Sequence, residues 1–295
     1  MLPRLRHLTT LAAALLLCGC GRLHERADLV FFNGAEPETI DPAIVTDQVS
    51  MRVSNALFEG LCRNNADGKP EPGTAERWDV SADKKTYMFH LRADAKWSNG
   101  DSVTARDFVF SWRRALLPET AADYASMLYI IRGARAFNEG TNTDFSQVGV
   151  RAIDDRTLEV VLENPTPYFI DLCAFPTLAP VHEATLAKHK SAWVKPQNVV
   201  VNGSYLLNDW LLDDRIELKK NPGYWDAANV KLRTIDVMPV SDPNTALNYF
   251  LTGQVDLMMD KGTVPVSLVE KLKQQSWFHT GPFPGTWFIR FNVTK

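Results

Sequence analysis

Residues 96–118, KWSNGDSVTARDFVFSWRRALLP, constrain the local fold more tightly than any other stretch of the chain. A strand-like run over 86–92 stops near Trp97. Ser98-Asn99-Gly100-Asp101 then reads as a turn, because Asn-Gly tolerates positive φ. Thr104 stands at a helix N-cap, with Asp107 three residues on as its capping-box partner and Val103 and Phe108 as a hydrophobic staple. Phe108, Val109, Trp112 and Leu116 share one helical face, while Asp107, Arg113 and Arg114 can face water. Pro118 cannot continue the helix. The stretch predicts a well-capped helix packed on a sheet, and nothing in it is chemically reactive.

The rest of the chain alternates hairpins with strand–helix units. Strands are expected at 29–32, 235–240, 255–259 and 286–291, and hairpins at 148–162 around Asp154-Asp155 and at 204–219 around Asp213-Asp214. Helical spacing covers 49–57, 121–136 and 265–273, and a short apolar helix follows the proline-broken segment 165–169. Another helix is framed by Asp242 as cap, Pro243 at its first position and Gly253 beyond its end. Ala75-Glu76-Arg77-Trp78 reads as a lead-in to the strand at 86, and 67–70 and 72–73 as turns. Without regular βαβ repetition this is a mixed α/β (α+β) protein.

The first twenty residues are of a different kind. Arg4 and Arg6 precede an apolar run over 8–17, too short to span a bilayer and shaped like the core of a secretory signal. Leu17-Cys18-Gly19-Cys20 resembles a bacterial lipobox in which Cys20 is diacylated and becomes the new N-terminus, although Cys18 departs from the usual small or aliphatic residue. Acyl chains would then hold the body at a membrane surface, outside the cytoplasm. Such a compartment permits a disulfide between Cys62 and Cys173, but their apolar surroundings favour two buried free thiols.

The 295 residues suffice for two domains. The net charge of −3 and the lack of a basic run with interleaved aromatics argue against nucleic acid as a partner. No G-x-S-x-G, H-E-x-x-H, P-loop or G-x-G-x-x-G is present, and the histidines are scattered, so neither an enzyme nor a bound cofactor or metal is expected.

Taken in order, a dozen short motifs resemble the extracytoplasmic peptide-binding proteins of ATP-driven uptake systems, the oligopeptide- and dipeptide-binding family. They include Glu36-Pro37-Glu38-Thr39-Ile40-Asp41-Pro42, LFEGL at 57–61, Trp97-Ser98-Asn99-Gly100, NPTPYF at 164–169, Asn202-Gly203-Ser204-Tyr205, Asn221-Pro222-Gly223-Tyr224-Trp225 and Gly253-Gln254-Val255-Asp256. The resemblance implies a periplasmic-binding-protein-like two-lobed fold of which this sequence is the N-terminal portion. Its expected parts are a signal peptide over 1–20, a discontinuous first lobe over 29–61 and 181–284, an inserted subdomain over 62–180, and the start of a second lobe at 285–295. Family members are commonly close to twice this length, so the second lobe is expected to lie outside the sequence.

The resemblance also implies a ligand, an extended oligopeptide gripped by its backbone between the lobes, and a partner, the inner-membrane ABC permease. The protein is expected to be a monomer. A ligand-contact strip falls at Thr46-Asp47-Gln48, with Thr46 where the family has an acidic residue. Tyr124 matches a tyrosine that reaches the ligand from the inserted subdomain; from the residues alone it is equally a half-buried core side chain. Asp260 and the strand bearing Trp287, Phe288 and Arg290 match ligand-lining segments. The alternative is a lipid-anchored binding or sensing lipoprotein without transport activity.

Overall fold

A computed structural model describes residues 25–281 together with 289 and 291. The elements, in chain order, are β1 (Leu29–Phe32), α1 (Gln48–Leu57), β2 (Cys62–Asn64), β3 (Pro70–Pro72), β4 (Ala75–Val80) and β5 (Thr86–Leu91). Then come α2 (Ala105–Leu116), α3 (Ala134–Asn138), β6 (Val150–Asp154), β7 (Thr157–Val161), α4 (Phe169–Leu172) and α5 (Glu183–His189). The last are β8 (Tyr205–Leu211), β9 (Arg215–Lys220), β10 (Thr234–Met238), α6 (Pro243–Leu251), β11 (Leu257–Met258) and α7 (Val269–Leu272).

Two sheets carry the architecture, with the short β2–β3 pair beside them. The larger runs β11-β1-β10-β9-β8, and the smaller runs β4-β5-β7-β6 with every neighbour antiparallel. In the larger sheet β1 is parallel to both β10 and β11, with Leu29 opposite Ile235 and Phe31 opposite Leu257, while β9 and β8 continue antiparallel. The carboxyl ends of β1, β10 and β11 therefore meet on one edge. One hydrophobic core joins the two sheets, with Phe31, Leu57, Phe89, Phe108, Trp112, Leu158, Phe169 and Val237 all buried in it.

The α2 helix sits at the centre of this packing, as its sequence requires. Gly100 takes φ +96°, Val103 and Phe108 are both buried, and the Thr104 amide donates to Asp107 Oδ2 at 2.7 Å. Trp97 Nε1 reaches the same carboxylate at 3.4 Å. On the inner face Trp112 Nε1 donates to the Leu178 carbonyl at 2.9 Å, and Ser111 Oγ accepts from the Val181 amide at 2.8 Å. The helix thereby fixes the path of residues 178–181 as well as its own. Asp107→Ala leaves the Thr104 amide and the Trp97 ring N–H without their acceptor, and is expected to lower stability by about 1–2 kcal/mol, read as a lower urea midpoint.

Several expectations are corrected. Residues 121–136 are not one helix. They form a 3₁₀ segment, Ala125–Ile130, and then Gly133 at φ +73° starts the short α3. Ala75–Val80 is a strand, not a lead-in, and Pro70–Pro72 pairs with Cys62–Asn64 where only turns were expected. Residues 265–273 split into a 3₁₀ turn, Val266–Leu268, and the single-turn α7. Arg114 does not face water. Its guanidinium makes a two-pronged ion pair with the buried carboxylate of Asp41. Most of the expected strand at 286–291 lies outside the described residues.

Candidate functional site

Chain reversal at the end of β1 builds the site. Asn33 is fully buried and its amide continues the ladder to the Met238 carbonyl at 3.0 Å. Its side chain turns to α1 and donates from Nδ2 to the Val49 carbonyl at 2.9 Å. Arg52, one turn further along α1, donates from Nη1 to both the backbone and side-chain oxygens of Asn33 at 2.9 and 2.8 Å. Its Nη2 donates to Asp260 Oδ2 at 3.0 Å, and Asp260 Oδ1 accepts from the Gly262 amide at 2.7 Å. One arginine thus ties together the carboxyl ends of β1 and β11 and the start of α1. In parallel α/β sheets this is the edge, and β1 between two parallel neighbours is the kind of place, where ligands bind.

The strip leading into α1 is held from two other directions. Asp41 caps its own turn: Oδ1 accepts from the Ala43 amide at 3.1 Å, and its carbonyl accepts from Ile44 and Val45 at 3.1 Å. Arg114 clamps the same carboxylate from the α2 side. The Tyr124 hydroxyl then donates to the Thr46 carbonyl at 3.2 Å while its ring packs edge-on against Phe175, centroids 5.4 Å apart. Asp47 is extended, at φ −106° and ψ 156°, and is the N-cap of α1, its Oδ1 accepting from Ser50 at 2.8 Å.

The structure therefore gathers Thr46, Asp47, Gln48, Tyr124 and Asp260 around α1, but in different states. Thr46 and Gln48 are exposed. Asp47 and Asp260 are engaged as caps, and Asp260 also in the ion pair. Tyr124 is half-buried and positions the Thr46 carbonyl. Among the described residues, the amides of Thr46, Asp47 and Gln48 donate to nothing. Trp287, Phe288, Arg290 and Cys20 lie outside the described residues. Asn33, Arg52 and Arg114 escaped sequence reasoning. The one local signal was a buried-type strand running straight into Asn33-Gly34. No group of three or more His, Cys, Asp or Glu among the described residues is arranged to hold a metal.

A parallel-edged mixed sheet with an extended strip beside its carboxyl edge, joined through one core to a second small sheet, defines a lobe of the periplasmic-binding-protein class. Residues 69–295 match the family described as bacterial extracellular solute-binding proteins, family 5 Middle, and the chain belongs to that family. It is 40% identical over 277 residues to the periplasmic oligopeptide-binding protein OppA of Escherichia coli K12, covering 92% of this chain and 50% of that one. Against the oligopeptide-binding protein OppA of Bacillus subtilis 168 it is 41% identical over 260 residues, 88% of this chain and 48% of the other. The structure of Haemophilus influenzae OppA in complex with RPPGFSPFR superposes with a TM-score of 0.80 at 37% identity, covering 84% of this chain and 49% of that one. The chain spans about half the length of the curated relatives it matches.

Proposed function

We propose that this chain supplies one wall of a cleft that captures extended oligopeptides by their main chain, as the substrate-binding part of an ATP-driven uptake system that hands peptide to a permease. The observation that carries this reading is the strip at 46–48. It is extended at Asp47, its three amides are unused among the described residues, and it is immobilised by Arg114 through Asp41, by Tyr124 and by the α1 cap. A peptide laid along it adds as a further strand, which reads backbone and not sequence. In this reading 29–61 and 181–284 form the wall, 62–180 an inserted subdomain, and 285–295 lead into the opposite wall, with Trp287, Phe288 and Arg290 lining the cleft. Lipidation of Cys20 would tether the protein outside the cytoplasm. Among the described residues no helix is long and apolar enough to cross a membrane.

Closure of two walls on a ligand is what a permease can sense, because ligand favours the closed form by its differential affinity. One wall buries only one side of a peptide, so binding by this chain alone is expected to be weaker than about 1 mM. A benzophenone-bearing tripeptide at millimolar concentration is expected to label 46–52 and 258–260, with protection by unlabelled peptides of unrelated sequence and none by free amino acids. Labelling confined to the β6–β7 hairpin would sink the site, and micromolar binding by calorimetry would remove the need for a second wall.

A further inference from the structure

Cys62 opens β2 and Cys173 is the residue at which α4 ends, and the two segments run in backbone contact. The Cys62 amide donates to the Cys173 carbonyl at 3.2 Å. Gly60 makes the approach possible: a Cβ there would sit 2.4 Å from that same carbonyl oxygen. A direct backbone hydrogen bond holds the two residues close together, as a disulfide requires, since it bridges Cα atoms only about 4.4–6.8 Å apart. The two free thiols lie near enough to influence one another, and both side chains are buried, Cys62 1% and Cys173 0% exposed. Burial and the Cys62 thiol beside it push the Cys173 thiol well above its ordinary pKa, so once folded the Cys173 thiol is a poor nucleophile, and burial keeps both sulfurs from a donor. Bond formation accordingly belongs to the folding step. A pocket of about 550 Å³ lined by Gly60, Cys62, Arg63 and Ala174 flanks the pair.

We propose that Cys62 and Cys173 close to a disulfide as the chain folds in the presence of a disulfide donor, stapling the start of β2 to the end of α4. The donor is a thiol–disulfide oxidant, small or protein-bound. One cysteine thiolate attacks the donor's S–S bond, giving a mixed disulfide and releasing one donor thiol. The second thiolate then attacks the protein sulfur, the Sγ–Sγ bond forms, and the other donor thiol leaves. The donor gains two electrons and two protons, and the two cysteines lose them. Such a staple is a feature of the covalent structure, independent of peptide binding.

The test refolds the full chain from the reduced, denatured state with oxidised glutathione, quenches with iodoacetamide and maps tryptic peptides without reduction. Expected is peptide 53–63 joined to peptide 157–188, with the pair separating on reduction. Recovery of both as carbamidomethylated or glutathionylated peptides, or of Cys62 joined to Cys18 or Cys20, overturns the proposal. Reduction of the linked form is expected to lower Tm by about 5–10 °C. An unchanged Tm would show that the bond is no staple.

Discussion

Replacing Arg114 with alanine is expected to destabilise the fold by about 3–5 kcal/mol, because it leaves the Asp41 carboxylate buried without its cation. The Asp41 side chain is 4% exposed and that of Arg114 16%, so water cannot take over the missing contact. The guanidinium also lies over the Trp193 ring, 5.9 Å from its centroid, which adds a packing loss. Arg114→Lys keeps the charge but not the two-pronged geometry, and should recover only part of the loss. Asp41→Ala with Arg114→Ala should cost less than the sum of the single changes, since neither charge is then stranded. Urea midpoints of the four proteins check this. An effect of Arg114→Ala under about 1 kcal/mol would mean that the pair behaves as an exposed one. The consequence reaches the site, because Asp41 shapes the turn that aims Thr46–Gln48. Peptide labelling at 46–52 should therefore fall in Arg114→Ala even under conditions where the variant remains folded.

The same pair shows where sequence reasoning stops. The helical angle of Arg114 leaves it free to face water. The angle is a local property, whereas the partner lies 73 residues away in a proline-bounded turn. The turn, cap and staple around α2 were legible because each is closed within a few residues: Gly100 at positive φ, Asp107 on the Thr104 amide, Val103 beside Phe108. The helix expected over 121–136 failed for the converse reason. Apolar spacing there satisfies the core through 3₁₀ turns and a break at Gly133, so the period reported burial and not hydrogen bonding. Strand β4 was missed because it is an edge strand, with Ala75 buried and most later residues exposed, so no alternation marks it. At the candidate site, motif order singles out 46–48 and Tyr124, which the fold brings into contact, whereas the Arg52 bridge between Asn33 and Asp260 exists only once three separate segments are folded together.

Glu59, the acid of LFEGL, carries the second large effect. It is buried, and its carboxylate accepts from the Trp225 ring N–H at 2.8 Å and from the Tyr224 hydroxyl, which bind 57–61 to the loop at 221–225, and from Thr74 Oγ1 at 3.3 Å, just before β4. Asn202 fastens the backbone of the same residue, its Oδ1 accepting from the Glu59 amide at 3.0 Å and its Nδ2 donating to the carbonyl at 2.8 Å. Glu59→Ala leaves Tyr224 and Trp225 as orphan donors beside a new void. The sum is a loss of about 3 kcal/mol, reduced by the relief of one buried charge. The charge itself has a pH signature. Burial raises the Glu59 pKa, with the Tyr224 and Trp225 hydrogen bonds and the Arg63 charge opposing it only in part. Between the ordinary glutamate pKa and this raised value the folded state holds a proton that the unfolded state has released. Stability from this group therefore falls as pH rises through that window. Glu59→Gln keeps the shape and abolishes the titration, so its deficit relative to the unsubstituted chain should shrink as the pH of a urea series is raised from 4 to 8. A deficit that grows over that range would mean that the three donors stabilise the ionised carboxylate by more than burial penalises it.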